Sequence, residues 1–163
     1  MDKIYLIWRK IMVSKYKELN IFLADLAVMN IKIHNLHWNV VGMEFKAIHK
    51  MTEKLYEMMQ EQFDEVAEII KMHNQFPFAR ITDYQNNTNI EEIESRPYQT
   101  DEVLEILNND YDKIINQAKK VREEADKQDD FLIVNLMEDY LKIYAKNSWM
   151  MKAMLEEEPR DFE

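Results

Sequence analysis

The sequence predicts an all-α protein built as a four-helix bundle, and three observations carry that prediction. Glycine and proline are scarce, with 1 Gly and 3 Pro in 163 residues, whereas turns and bulges in β-rich folds draw heavily on both. Apolar residues recur with the i, i+3, i+4, i+7 spacing of amphipathic helices in four long segments. The length suits one domain with a sizeable core, so we expect residues 1–163 to form a single bundle domain.

Charge and composition argue against several classes of function. The net charge is −10 and basic residues are interspersed with acids, which disfavours DNA as a partner because phosphate contacts need clustered Lys and Arg. Cysteine is absent, so thiol catalysis and disulfides are excluded. The N-terminal apolar run, Ile4 to Trp8, is too short for a signal sequence or a membrane span. We therefore expect a soluble cytoplasmic protein that uses no membrane.

The first half of the chain predicts two long helices. Residues 4–17 have helical spacing and form either a short separate helix or an extension of the next one. The first long helix is predicted over residues 19–41 and ends at Gly42, where the chain can take a left-handed turn. The second runs from about Phe45 to about Met72, with a buried stripe of aliphatic and Met side chains.

The second half begins with a long connection over residues 74–98, in which ITDYQ or NIEEI makes a turn or two of helix. Thr100 and the acids after it begin the third long helix, which runs to about Lys127. Asp129 or Asp130 caps the fourth, whose apolar face comprises Leu132, Ile133, Leu136, Met137, Tyr140, Leu141, Tyr144, Trp149, Met150 and Met154. The tail over about 156–163 is acidic. One long crossover between the second and third helices is the ferritin-like arrangement.

Potential metal ligands concentrate in the first two helices: His37, His49, Glu53, Asp64 and Glu68. At about 100° per residue, Glu53, Asp64 and Glu68 lie near 40°, 60° and 100° from His49 on the second helix. All four therefore share one stripe of that helix. Imidazole with carboxylate is a ligand set for iron, manganese or zinc.

One chain cannot close such a site. His49 and Asp64 are fifteen residues apart, which is roughly 22 Å along a helix axis, whereas bonds from these ligands to a metal are about 2 Å. Two copies of the second helix that cross antiparallel near residues 57–60 would place His49 and Glu53 of one chain opposite Asp64 and Glu68 of the other. Two-fold symmetry then gives two identical sites, and His37 can join His49 across the Gly42 turn.

Spacing alone also allows a structural interpretation. Charged residues on one stripe of a helix usually form its solvated face, and Glu53 could pair with Lys50 and Glu68 with Lys71. His37 could be a buried histidine that has hydrogen-bond partners and no metal. Both interpretations stay open at this level.

The motif His37-Trp38-Asn39, Gly42, Phe45, His49, Asp64 and Ala67-Glu68 resembles the signature of the Dps proteins, the mini-ferritins of bacteria. The resemblance implies a hollow dodecamer built from two-fold dimers. Such a protein oxidises Fe(II), preferentially with hydrogen peroxide and alternatively with O2, stores the ferric mineral, and protects against oxidative stress. The implied ferroxidase site holds two irons between subunits. His37, His49 and Glu53 come from one chain, and Asp64 and Glu68 from the other.

The resemblance also implies roles for residues around the site. Trp38 matches an aromatic side chain beside the irons that quenches radicals, although packing at the helix end would also explain it. Glu53 departs from the family's more familiar aspartate: it keeps the negative charge and adds a methylene group beside the second iron position. Acids that line an iron pore match Asp126, Asp129 and Asp130, which serve equally well as a helix-capping loop. His34 and His73 are left outside the site.

Two other function classes remain. Some Dps proteins condense DNA through a Lys-rich flexible tail, but here the N-terminal basic residues are scattered and the C-terminus is acidic, so we expect DNA binding to be weak or absent. The third class is a non-catalytic helical protein that binds a partner and keeps the metal ligands as vestiges.

Overall fold

The computed structural model describes residues 16–156. They form α1 (Lys17–Asn39), β1 (Val40–Val41), α2 (Phe45–Met72), α3 (Ile81–Asn87), β2 (Tyr98–Gln99), α4 (Thr100–Asp126) and α5 (Phe131–Leu155). The predicted all-α four-helix bundle, with a short helix in its crossover, is confirmed. Residues 4–15 of the predicted N-terminal helix and residues 157–163 of the acidic tail lie outside the described residues.

The bundle consists of two helical hairpins. Helices α1 and α2 pack together across the turn at Gly42, α4 and α5 pack together across residues 127–130, and α1 joins the hairpins by packing on α4. The core between them includes fully buried Phe22, Met59, Tyr111 and Tyr144. On the side where α2 faces α5, the Tyr144 hydroxyl donates to Gln62 Oε1 at 2.6 Å.

The crossover runs the whole length of the bundle. At its start, His73 Nε2 lies 2.8 Å from Asp130 Oδ2 at the beginning of α5. At its end, Tyr98 pairs with Val40 in the short parallel β1–β2 ladder. In between, the buried carboxylate of Asp25 on α1 accepts bonds from the Thr88 hydroxyl at 2.8 Å and from the Asn89 backbone N–H at 2.6 Å. The connection is thus attached at both ends and in the middle.

The β1–β2 ladder corrects the predicted end of the first helix. That helix ends at Asn39 rather than at residue 41 because Val40 and Val41 are extended and pair with Tyr98 and Gln99. Gly42 follows with φ of +123°, a conformation that side chains with a Cβ rarely adopt. The chain therefore leaves α1 as a short strand and then turns at a backbone angle that favours glycine.

Three predicted boundaries in the second half also differ in detail. The crossover helix contains ITDYQ, whereas NIEEI is not helical. Thr100 is the first residue of α4 rather than its cap; Gln99 takes the cap position, and no side chain caps it. The third long helix ends at Asp126. The predicted cap of α5 is Asp130, whose Oδ1 accepts from the Ile133 N–H at 3.4 Å.

The predicted apolar face of α5 covers two faces of that helix. Ile133, Met137, Tyr140 and Tyr144 are buried in the bundle, whereas Leu132, Trp149, Met150 and Met154 are 44–66% exposed. These four exposed side chains point away from α4, because α5 contacts the rest of the bundle along only one face. Within residues 16–156, no helix combines the length and the apolar character needed to cross a membrane.

Candidate metal centre

The turn at Gly42 brings His37, near the end of α1, against His49, in the first turns of α2. Their imidazole rings are stacked, with centroids 3.7 Å apart and planes inclined by 20°. Phe45 continues the stack on the far side of His49, at 5.0 Å between ring centroids. The fold thus joins the two histidines that the sequence predicts to share one half of the site.

Reciprocal hydrogen bonds to the main chain fix both rings. His37 Nδ1 lies 2.9 Å from the carbonyl oxygen of His49, and His49 Nδ1 lies 2.9 Å from the carbonyl oxygen of His37. Because a carbonyl oxygen can only accept, each Nδ1 must carry the proton. Each neutral ring therefore keeps its lone pair on Nε2, the arrangement that metal-binding histidines use.

A buried hydroxyl group also contacts the His37 ring. Thr52 Oγ1 lies 3.1 Å from His37 Nδ1 and 2.9 Å from the carbonyl oxygens of both Ile48 and His49. The Thr52 side chain is fully buried. The sequence gives no sign of this role except that Thr52 follows His49 by one helical turn.

The surroundings of His37 favour its neutral form. The ring is 7% exposed, and this burial is the main reason that the pKa of His37 is lowered from its ordinary value. The hydrogen bond to the His49 carbonyl and the charge of Glu53 act in the opposite direction, and the positive charge available on His49 and His34 adds to the lowering. A neutral imidazole is the form that can bind a metal.

The three predicted carboxylate ligands, Glu53, Asp64 and Glu68, are exposed on α2. The alternative pairs, Glu53 with Lys50 and Glu68 with Lys71, are not formed. Across residues 16–156, no ion pair involves any of the three carboxylates. The Lys71 ammonium instead lies over the Phe76 ring, 4.3 Å from its centroid. The carboxylates are thus free to take other ligands.

A single chain does not bring all five residues together. Helix α2 is continuous from Phe45 to Met72, so Asp64 stays about 22 Å along the axis from His49. In the part of the chain that the structure describes, no three His, Asp or Glu side chains converge on one metal position. The candidate ligands therefore form two separate groups in one chain: His37, His49 and Glu53 near the start of α2, and Asp64 and Glu68 toward its end.

Further aromatic residues surround the histidine pair. His34 Nδ1 lies 2.9 Å from the Asn30 carbonyl oxygen, and the His34 ring stacks on Tyr56 at 3.9 Å between centroids. Trp38 contacts the other side of His34 at 5.4 Å and is 70% exposed. Tyr56 in turn meets the His37 ring edge-on at 5.3 Å. The predicted neighbour Trp38 is therefore linked to the histidine pair through His34 and Tyr56, two residues outside the predicted site.

Two of the three candidate pore acids already have partners in this structure. Asp126 pairs with Arg122 at 3.4 Å, and Asp130 both caps α5 and contacts His73. Asp129 is exposed in the α4–α5 turn, with φ of +54°. The helix-capping interpretation of this loop therefore holds for Asp130.

The interior of the bundle contains a different ionic group. Lys32 Nζ lies 2.5 Å from Asp110 Oδ2, and the two side chains are 6% and 2% exposed. The cation buried between α1 and α4 is thus an ammonium that belongs to the chain itself. This ion pair is separate from the candidate ligands of α1 and α2.

Comparison with known proteins identifies the family. A model of the ferritin-like domain matches residues 16–160. A DNA protection during starvation protein of Helicobacter pylori is 30% identical over 132 residues, covering 81% of this chain and 92% of that protein.

Solved structures of Dps proteins have the same fold as this chain. The crystal structure of a Dps protein from Bacillus brevis superposes with a TM-score of 0.85 at 27% identity, covering 90% of this chain and 98% of that one. A Dps protein from Vibrio cholerae O1, described as a member of a broad superfamily of ferritin-like diiron-carboxylate proteins, gives 0.83 at 26% identity, with coverage of 88% and 89%. The chain belongs to the Dps family of ferritin-like proteins.

Proposed function

We propose that this protein is a cytoplasmic iron-storage ferroxidase. It oxidises Fe(II) with hydrogen peroxide at di-iron sites shared between subunits and keeps the ferric product as mineral inside a hollow homo-oligomer of twelve chains. His37, His49 and Glu53 of one chain, with Asp64 and Glu68 of the partner subunit, bind the iron. Membership of a family with an iron-related function supports this proposal.

One observation carries it: the candidate ligands fall into two groups, one near the start of α2 and the other toward its end. His37, at the end of α1, and His49, near the start of α2, both keep the lone pair on Nε2. Asp64 and Glu68 follow His49 by fifteen and nineteen residues, and their exposed carboxylates have no ion-pair partner among the described residues. A two-fold axis through the middle of α2 would place each histidine half-site opposite the partner's carboxylate half-site. A symmetric dimer would therefore close two equivalent sites at once.

The stacked rings favour two metal positions over one. A metal bound by an imidazole lies in the plane of that ring, and the two ring centroids are 3.7 Å apart with nearly parallel planes. Both rings cannot direct their lone pairs at one ion without rotating. We therefore assign each histidine to its own iron, an arrangement of the kind that two-metal sites use.

The proposed reaction balances with two irons. Two Fe(II) supply the two electrons that, with two protons, reduce one hydrogen peroxide to two waters and leave two Fe(III). Delivery of both electrons together avoids the hydroxyl radical that a single electron would release. The carboxylates Glu53, Asp64 and Glu68 are hard anionic ligands and favour Fe(III), whereas the main-chain bonds of His37 and His49 hold the imidazoles in the metal-binding tautomer.

The surface around α2 supports assembly. A groove of about 570 Å³ lies between α1, α2 and α3 and is lined by Ala27, Val28, Ile31, Phe63, Ile81 and Tyr84, among other residues. Ile31 and Ile81 are largely exposed in the single chain, and exposed apolar patches of this kind mark protein–protein contacts. The groove flanks the stretch of α2 where the two copies would cross.

The first test combines activity with subunit mixing. The purified oligomer, titrated with Fe(II) without oxygen and then given hydrogen peroxide, should develop ferric absorbance rapidly at about two irons per site. His49→Ala and Asp64→Ala should each lose this phase while eluting at the size of the unaltered oligomer. Equal co-assembly of the two variants should restore about a quarter of the sites, because every mixed dimer regains one intact site.

The restored activity distinguishes a shared site from other arrangements. If both ligand sets acted within one chain, mixing the variants would restore nothing. If the variants oxidised iron as fast as the unaltered protein, the chain would share only the fold of its family, and the alternative of a non-catalytic binding protein would take precedence.

A further inference from the structure

We propose that Thr52 is a positioning residue for the candidate metal ligand His37, an inference that rests on the proposed function. Its hydroxyl is buried in the contact between α1 and α2, where it lies 3.1 Å from His37 Nδ1. Thr52 would bind no iron itself. It would hold the His37 ring so that Nε2 stays directed at the metal position.

The His49 carbonyl and the Thr52 hydroxyl lie side by side at His37 Nδ1. The carbonyl oxygen lies inside α2, so the N–H of residue 53 takes one of its lone pairs through the helical bond. The same oxygen is also 2.9 Å from His37 Nδ1 and 2.9 Å from Thr52 Oγ1. One carbonyl with two lone pairs thus faces three donors.

The position of Thr52 relieves this competition. Its Oγ1–H can donate to the Ile48 carbonyl at 2.9 Å, a bond to the preceding helical turn that threonine commonly makes. Its oxygen then accepts from His37 Nδ1–H. The ring proton is shared between the His49 carbonyl and the Thr52 hydroxyl, and both acceptors stabilise the tautomer that leaves Nε2 unprotonated.

A methyl group could not replace that oxygen. In Thr52→Val, a carbon would lie where the oxygen now stands, 3.1 Å from a ring nitrogen, which is closer than carbon and nitrogen approach without a hydrogen bond. The His37 ring would be displaced and would lose one acceptor. Thr52→Ser keeps the hydroxyl and removes only the methyl group, so it separates hydrogen bonding from packing.

The experiment uses the full-length oligomer and two readouts. Nitrogen-15 spectra of the metal-free protein report which nitrogen of His37 carries the proton, with His37→Gln to assign the signal. Titration with Co(II), used as an oxygen-stable probe for Fe(II), reports affinity. Thr82→Val, at an exposed position of α3, controls for the general effect of replacing threonine by valine.

We expect Thr52→Val to mix the His37 tautomers and to weaken Co(II) binding by about 10–100-fold, the usual effect of removing a group that orients a metal ligand. Thr52→Ser should keep the single tautomer and most of the affinity, and Thr82→Val should match the unaltered protein. A Thr52→Val protein with an unchanged tautomer and unchanged affinity would overturn the inference. Absence of Co(II) binding in the unaltered protein would instead count against the proposed function, and the nitrogen spectra would still decide the role of Thr52.

Discussion

At the scale of single residues, the candidate site depends on bonds to the main chain. The rings of His37 and His49 each donate to the other's carbonyl oxygen, so their orientation follows from the way α1 meets α2. Sequence spacing predicts that His37 and His49 meet across Gly42, and they do. It cannot predict their tautomer or the contact between Thr52 and His37, because both depend on distances of about 3 Å between groups on different helices.

The pH response of His37 follows from its burial. The pKa of His37 is lowered, so the folded protein holds this imidazole neutral at pH values where an unfolded chain, with a pKa of about 6.5, binds a proton. The contribution of neutral His37 to the free energy of unfolding is therefore complete above about pH 6.5. It is lost as the pH falls through the lower pKa that His37 has in the folded protein. An NMR titration of the metal-free protein, with His37→Gln as the assignment control, should give a midpoint below 6.5. A midpoint at or above that value would contradict the burial argument.

The Lys32–Asp110 pair gives a prediction about stability. Asp110→Ala leaves a buried ammonium without its counter-charge, which costs about 3–5 kcal/mol of unfolding free energy. Thermal unfolding should therefore begin at a clearly lower temperature than in the unaltered oligomer. Lys113 lies 3.6 Å from the same carboxylate but is 36% exposed, so Lys113→Ala should cost at most about 1 kcal/mol. Equal losses in the two variants would show that burial does not set the strength of this pair.

At the scale of secondary structure, the turn between α1 and α2 determines how the histidine half-site forms. A Cβ on residue 42 would lie 3.2 Å from Gln99 Oε1, and the backbone has φ of +123°. Helical periodicity extends the first predicted helix to residue 41, yet Val40 and Val41 pair with Tyr98 and Gln99. That partner is 58 positions away in the sequence, so a local pattern carries no information about it, whereas Gly42 correctly predicts the position of the turn.

Gly42→Ala should disturb the site through the backbone. The substitution forces a side chain into a conformation that costs about 1–3 kcal/mol for residues other than glycine. We expect a lower unfolding temperature and weaker Co(II) binding together, because the turn holds His37 against His49. Ala47→Gly, two residues into α2 and exposed, is the control for loss of helix stability without a strained turn. Unchanged metal affinity in Gly42→Ala would mean that the half-site does not depend on this turn.

At the scale of the whole molecule, the sequence correctly predicts the bundle and its long crossover. The apolar face of α5 is less accurately predicted, since Trp149, Met150 and Met154 are exposed in the single chain. Periodicity identifies apolar stripes but does not distinguish a stripe that contacts the chain's own core from one that faces outward. The ion pair of Lys32 with Asp110 is unforeseen for a similar reason, because α1 and α4 are distant in sequence.

Net charge gives the prediction about nucleic acid. With a formal charge of −10 per chain, the oligomer should repel the DNA backbone unless basic residues cluster on its surface. We expect no retardation of plasmid DNA in a gel-shift assay at low salt without divalent ions. Retardation under those conditions would revive the DNA-condensing alternative, and its loss on raising the salt concentration would identify the contact as electrostatic.

The attachment of the crossover at three points has a consequence for the continuity of the chain. His73 with Asp130, Asp25 with Thr88 and Asn89, and Val40 with Tyr98 hold the connection by non-covalent bonds on both sides of its exposed stretch at Glu91 and Glu92. A break in the backbone there would leave the α1–α2 hairpin and the α4–α5 hairpin each with its own anchors. The two hairpins are therefore complementary fragments. Once they have associated, the fold does not require the peptide bond between them.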